Sequence, residues 1–290
     1  VYKRQGLVGI KPTAGRVPRT GHAIPPGGLL DPLTQVGPIA RKVEDLIKIL
    51  PIISGPDRRD PMLAPVPLRN PDRVNLKKLR GTFHTDNGVL SPIPEIKAAV
   101  ERAVAILHLL GIDFDEKTPP GIEQSIEILP SLLRGWDGGA WIRILLERAN
   151  TAESDTTLKR YLTARRASPD VLINLIERWD RFRTCMLAFF EPYDVLVSPV
   201  NAYPAFRHGE MAEKYPGFSY TMAYNLTGWP TVVIRAGTSA AGLPLGVQIV
   251  AKPWREDVAL ATAAALETEL GDWPLPDYSV IHRPYRKKQN

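Results

Sequence analysis

Ser198, Asp194 and His208 are of the three types that make a hydroxyl nucleophile, its orienting carboxylate and its imidazole base. Ser198 sits near the end of Tyr193-Asp194-Val195-Leu196-Val197-Ser198-Pro199, an apolar run that reads as a buried strand running into a loop. His208 lies in a polar loop where nothing signals its orientation, so the three are not expected to form a triad. Lys11 stands between a glycine-rich stretch and Pro12. A lysine acting as a base must be desolvated until it is neutral. Nothing around Lys11 does that, and a structural or surface role is expected. Cys185 is the only cysteine, which excludes an intrachain disulfide and a multi-cysteine zinc site. It falls in the apolar run Phe182 to Leu187 and is expected to be a buried thiol. There is no Gly-x-Ser-x-Gly elbow, no phosphate-cradling Gly-x-x-x-x-Gly-Lys loop and no His-Glu-x-x-His. No metal and no cofactor are expected.

The elements that would position these groups follow from periodicity. Residues 6 to 40 are rich in Gly and Pro and read as an extended, loop-built segment. Val43, Leu46, Ile47 and Leu50 fall at helical spacing, with Pro51 and Gly55 bounding the run. Asp60 to Pro71 is Pro-rich and reads as a surface connection. Leu79 to His84 is a short strand candidate. Pro94 to Leu110 is the clearest helix: Ile96, Val100, Val104 and Leu107 make one face, Pro94 suits the first turn and Gly111 ends it. Ile112 to Asp115 reads as a strand, so strand, helix and strand in succession predict a parallel pair in an α/β layer. Residues 121 to 190 read as mainly helical. Thr231 to Ile234 and Leu245 to Val250 are two further strands joined by a turn-rich stretch, and Glu256 to Leu270 is a closing helix.

The 290 residues are 44% hydrophobic and 23% charged, the composition of an ordinary globular protein able to bury a sizeable core. No apolar run is long enough to cross a membrane as a helix. The net charge of +6 is mixed with acids along the body, and only Arg283 to Lys288 forms a basic tail. A solvated tail is expected, with no nucleic acid and no membrane among the partners. The cytoplasm is the default location. Oligomeric state is left open.

Three blocks, in order, carry a resemblance. They are Gly6-Leu7-Val8-Gly9-Ile10-Lys11-Pro12-Thr13-Ala14-Gly15-Arg16-Val17, then Gly37-Pro38-Ile39-Ala40-Arg41 with Val43-Glu44-Asp45-Leu46, then Asn225 to Pro230 with Gly242 to Val250. Each is weak alone; together they resemble the amidase signature family of Ser-Ser-Lys amide hydrolases. That resemblance implies an α/β fold, a large mixed β-sheet covered by helices on both faces. It also implies that the nucleophilic serine, a relay serine and the lysine base lie upstream of Gly6, so that the N-terminal part of the fold is missing and none of the catalytic residues is present. Val1-Tyr2-Lys3-Arg4-Gln5 matches one reading frame of a transposon adapter used in DNA library preparation, and residues 1–5 are expected to be such a scar. Residues 6–290 then form a single partial domain.

The resemblance implies an amidase cleaving a carboxamide C–N bond, with a small-molecule amide as partner. Ser198 and Asn201, in a loop similar to one near the family's substrate, are expected to bind substrate. Asp31 and Thr34, before the Gly-Pro turn, are candidates for the same role, with loop capping as the alternative. Two other readings stand beside this one: a non-catalytic short form that keeps a binding surface, and a transamidation subunit of a tRNA-linked complex.

Overall fold

The computed structural model describes residues 6–22, 31–133, 137–151, 162 and 166–273. Val1 to Gln5 and the basic tail lie outside the described residues. Seven strands form one sheet: β1 (Val8–Lys11), β2 (Ile39–Ala40), β3 (Arg80–Phe83), β4 (Asp113–Glu116), β5 (Val195–Pro199), β6 (Thr231–Thr238) and β7 (Pro244–Ala251). Their order is β2-β1-β6-β7-β5-β3-β4. β3 runs parallel to both β4 and β5, and the remaining pairs are antiparallel, so the sheet is mixed. The helices are α1 (Val43–Ile53), α2 (Pro94–Leu109), α3 (Ser125–Leu133), α4 (Ala140–Arg148), α5 (Pro169–Phe190), α6 (Met211–Lys214), α7 (Ser219–Leu226) and α8 (Glu256–Leu270).

Strand alternation sorts the core into two layers. Val195 and Val197 of β5, with Val247, Ile249 and Ala251 of β7, pack on one face with α1, α2 and α8. Leu196 and Val250, their intervening neighbours, pack on the other face with α3, α5 and α7. Both faces of the central strands are therefore covered, which is why these strands read as near-continuous apolar runs. Ser198 and Gln248 fall on the second face, directly opposite each other in the β5–β7 ladder.

Three sequence expectations are corrected. Pro51 does not bound α1 but lies within its last turn, where a missing N–H removes one ladder bond and Ile53 still reaches the core. Asp60 alone departs from the surface connection that the rest of Asp60 to Pro71 makes: it is buried, with Oδ1 3.0 Å from the Arg19 guanidinium. Cys185 is exposed. The buried stripe of α5 runs through Leu175, Trp179, Phe182, Met186 and Phe190, and Cys185 stands one residue, about 100°, off it. Among the described residues, no helix is long and apolar enough to cross a membrane.

Candidate functional site

The amino-terminal block builds the first wall of a cavity. Thr13 N–H and the Arg16 guanidinium both bind Glu256 at the start of α8, at 3.0 Å and 2.9 Å, and the Arg16–Glu256 pair is buried. This clamp fixes the chain leaving β1. Gly37 fixes the chain entering β2: a Cβ there would lie 2.0 Å from the Ile10 carbonyl oxygen, so only glycine lets this segment pass against β1. Lys11, opposite Thr231 in the β1–β6 ladder, donates its ammonium to the Trp229 carbonyl. Its described contact is thus a tether between β1 and the turn before β6.

A cavity of about 360 Å³ lies between these strands and the helices of the second face. Leu33, Leu129, Met222 and Val233 supply apolar surface; Lys11, Gln35, Asn225 and Gln248 supply polar groups. This volume and lining fit a small organic ligand.

Beneath the wall runs a directed chain of hydrogen bonds. His84 Nδ1 lies 3.0 Å from the Asp86 carbonyl oxygen, which can only accept, so that nitrogen carries the ring proton. Burial holds the imidazole down at about 4, against the smaller upward pull of Asp86, so His84 is neutral at physiological pH and its Nε2 is an acceptor. Tyr224 Oη, 3.0 Å away, donates to it. Burial also raises the Tyr224 phenol above its ordinary range, keeping that proton in place. Ser198 hydrogen-bonds Tyr224 in turn, and Gln248 Nε2 lies 3.0 Å from Ser198 Oγ. Tyr224 and Gln248 both line the cavity, so the chain fixes two wall residues from behind.

The expected site residues are not gathered at one point. Ser198 is fully buried and engaged in the chain just described; it is not among the residues lining the cavity. Asn201 is buried, and its Oδ1 accepts from Tyr203 N–H at 3.0 Å; it borders a separate small void beside Ile96 and Val200. Thr34 is half-buried, between the cavity residues Leu33 and Gln35. Asp31 opens the short 3-10 helix Asp31–Leu33, and its side chain lies outside what the structure describes. Asp194 precedes β5 and accepts from Arg80 N–H at 3.0 Å, four residues and about 13 Å of strand from Ser198. His208 is exposed. No Ser198–His208–Asp194 triad is assembled.

His84, Tyr224, Arg16 and Glu256 give no signal by type or spacing. Gln248 does, as an amide inside the apolar strand Leu245 to Val250, where a buried polar group needs partners.

A mixed sheet covered on both faces, with a cavity of about 360 Å³ against its glycine-rich first strand, defines an α/β protein. The family follows from the chain itself: residues 4–260 match the family described as Amidase, and the chain belongs to it. It is 28% identical over 302 residues to a glutamyl-tRNA(Gln) amidotransferase subunit from Geotalea daltonii, covering 92% of this chain and 60% of the relative. It is 29% identical over 290 residues to an acylamidase from Rhodococcus erythropolis, covering 90% of this chain and 57% of the relative. The solved structure of 6-aminohexanoate cyclic dimer hydrolase complexed with substrate shares the fold, with a TM-score of 0.79 and 24% identity over 92% of this chain and 61% of that one. The chain thus spans about three-fifths of the length of the relatives it matches.

Proposed function

We propose that this chain is the C-terminal portion of an amidase that hydrolyses a carboxamide C–N bond to an acid and ammonia or an amine. The observation that carries the reading is the Amidase match over residues 4–260, with the cavity lying against the Lys11 block. By resemblance to the family, the nucleophilic serine, relay serine and lysine base belong to a segment preceding Gly6. The serine would attack the carbonyl, backbone N–H groups would hold the oxyanion, and water would release the acid.

The residues present here supply wall and sheet in this reading, and their chemistry supports that division. Ser198 hydroxyl is held between Gln248 and Tyr224, and His84 offers its lone pair to Tyr224, so neither is poised for attack or proton transfer on a ligand. Lys11 donates to a backbone carbonyl, as a tether would. In this reading Ser198 acts from behind the cavity wall, through Gln248 and Tyr224.

The test is a pair of proteins: this chain, and this chain joined at Gly6 to the upstream segment of the Rhodococcus erythropolis acylamidase. The chain alone is expected to leave aryl and alkyl amides intact. The chimera is expected to hydrolyse them, to depend on its grafted serine and to lose only a modest part of its rate on Lys11→Ala. A folded chimera inactive on the whole panel would reject the amidase reading.

A second reading, a transamidation subunit, is favoured by relatives named as part of a glutamyl-tRNA(Gln) amidotransferase. It predicts that the chimera needs partner proteins for turnover, and turnover by the isolated chimera would exclude it.

A further inference from the structure

From Asp57 to Lys78 the sequence mixes both signs of charge, and the fold separates them. Asp60 turns inward, where its two carboxylate oxygens hold the Arg19 guanidinium at 3.0 and 3.1 Å. Asp57 is half-buried and accepts from the backbone N–H groups of Arg59 and Asp60, both at 2.9 Å. Arg58, Arg59, Arg69, Arg73, Lys77 and Lys78 are all exposed, and none has an ion-pair partner among the described residues. Asp72 is the one exposed carboxylate of the segment. Elsewhere the exposed cations Lys42, Lys48, Lys97 and Arg183 each face an acid.

The segment is a fixed strap over the layer that holds α1, α2 and α8. Gly55 N–H donates to the Arg16 carbonyl at 3.0 Å, Ala64 N–H donates to the Gly15 carbonyl at 3.1 Å, and Arg16 donates to the Val66 carbonyl. Further along, Leu68, Val74, Leu76 and Leu79 turn in against the core. The strap is thus amphipathic without being an α-helix, with apolar side chains beneath and cations outside. Large apolar side chains stand exposed at its arginine end: Ile52, in the last turn of α1, is 81% exposed and Met62 48%. Both adjoin the short loop that carries Arg58 and Arg59.

We propose that this strap is a docking surface for an anionic lipid bilayer, with Ile52 and Met62 entering the interface and the six cations facing the headgroups. Charge selects the partner's sign: six unpaired cations beside one carboxylate are complementary to an anionic surface, and each adds about fivefold in affinity there. The apolar side chains select lipid over nucleic acid. Residues 49–78 contain no Phe, Tyr or Trp on which a base could stack. Ile52 and Met62, in contrast, gain by leaving water at the boundary between headgroup and acyl chain. The sequence expectation of no membrane partner is replaced because the acids that balanced Arg58 and Arg59 along the chain are committed inside the fold. The inference is independent of the amidase reading.

The experiment measures co-sedimentation of the full 290-residue chain with phosphatidylcholine vesicles, with and without phosphatidylserine. Binding is expected only where phosphatidylserine is present, and it should be lost toward about 1 M salt, where the screening length falls to about 3 Å. Arg58→Ser with Arg59→Ser should weaken it about twenty-fivefold, and Ile52→Ser about tenfold, each variant being checked by its melt. Arg143→Ser with Arg148→Ser removes the same charge from the exposed side of α4 and should weaken it by less than about threefold. The basic tail from Arg283 to Lys288 is intact in every variant, so binding unweakened by the strap changes would belong to the tail and overturn the proposal. Equal loss in the α4 pair would make net charge the cause and overturn it too. So would no binding to either vesicle, or binding of single-stranded polyuridylate without vesicle binding, which would assign the surface to nucleic acid. If the strap variants do not fold, methyl NMR of the unaltered chain with short-chain phosphatidylserine micelles decides. The exposed Met62 should shift and the buried Met222 should not, and an unshifted Met62 would reject the surface.

Discussion

The phenol oxygen of Tyr224 lies 3.0 Å from Nε2 of His84, and both side chains are buried. One residue is in the loop after β3, the other on α7, so this bond acts with Tyr220 Oη to Leu90 O and Asn87 Nδ2 to Ser219 Oγ in tying the helix that lines the cavity to the parallel half of the sheet. Because the His84 Nδ1 proton is committed to the Asp86 carbonyl, the direction of this bond is fixed.

Tyr224→Phe removes the donor and leaves Nε2 buried without a partner. The expected loss is about 1–3 kcal/mol of unfolding free energy, measured by urea denaturation. A loss within error would mean that water replaces the hydroxyl.

The same imidazole makes stability depend on acid. In the unfolded chain His84 titrates near 6.5; in the folded protein burial holds it at about 4. Between these values the unfolded chain binds the additional proton, so stability is full above about pH 6.5 and falls as pH drops toward 4. The contribution is roughly 3 kcal/mol. Denaturation curves at pH 7, 5.5 and 4 should show this slope, and His84→Gln should flatten it relative to the parent. An unchanged slope in that variant would assign the acid sensitivity elsewhere.

Glu256 accepts from Thr13 N–H and from Arg16, and Arg16 also donates to the Val66 carbonyl and stacks on the Trp254 ring at 4.9 Å. Glu256→Gln strands the guanidinium charge and should cost about 3–5 kcal/mol. Adding Arg16→Met should recover part of that loss, since neither charge then remains. A double-mutant cycle with no coupling would show that the pair does not act as a unit.

Gly15 has φ +85°, and a Cβ there would stand 2.5 Å from the Met62 carbonyl oxygen. Gly15→Ala should therefore lower stability by more than about 1 kcal/mol, combining backbone strain with a contact that backbone cannot relieve. Gly242, also at positive φ but with open space around its Cβ position, is the control and should lose less. Thermal melts of the two variants decide between strain alone and strain plus clash.

Much of this protein is legible along the chain because it is local. Glu256–Leu270 and Pro94–Leu109 follow from helical spacing, Pro94 and the breakers around them, and the parallel β3–β4 pair from strand, helix and strand in succession. The three ordered blocks indicated the family that the match over residues 4–260 establishes. The site was decided elsewhere. Period-two alternation places Ser198 and Gln248 on some face of some strand, but only the register of β5 on β7 makes them neighbours. His84 and Tyr224 are 140 residues apart, and Arg16 and Glu256 are 240 apart. No spacing rule links such pairs. A polar side chain finds its partner through the sheet order and helix packing that bring distant segments together, and burial then makes an unmet partner costly enough to fix the choice.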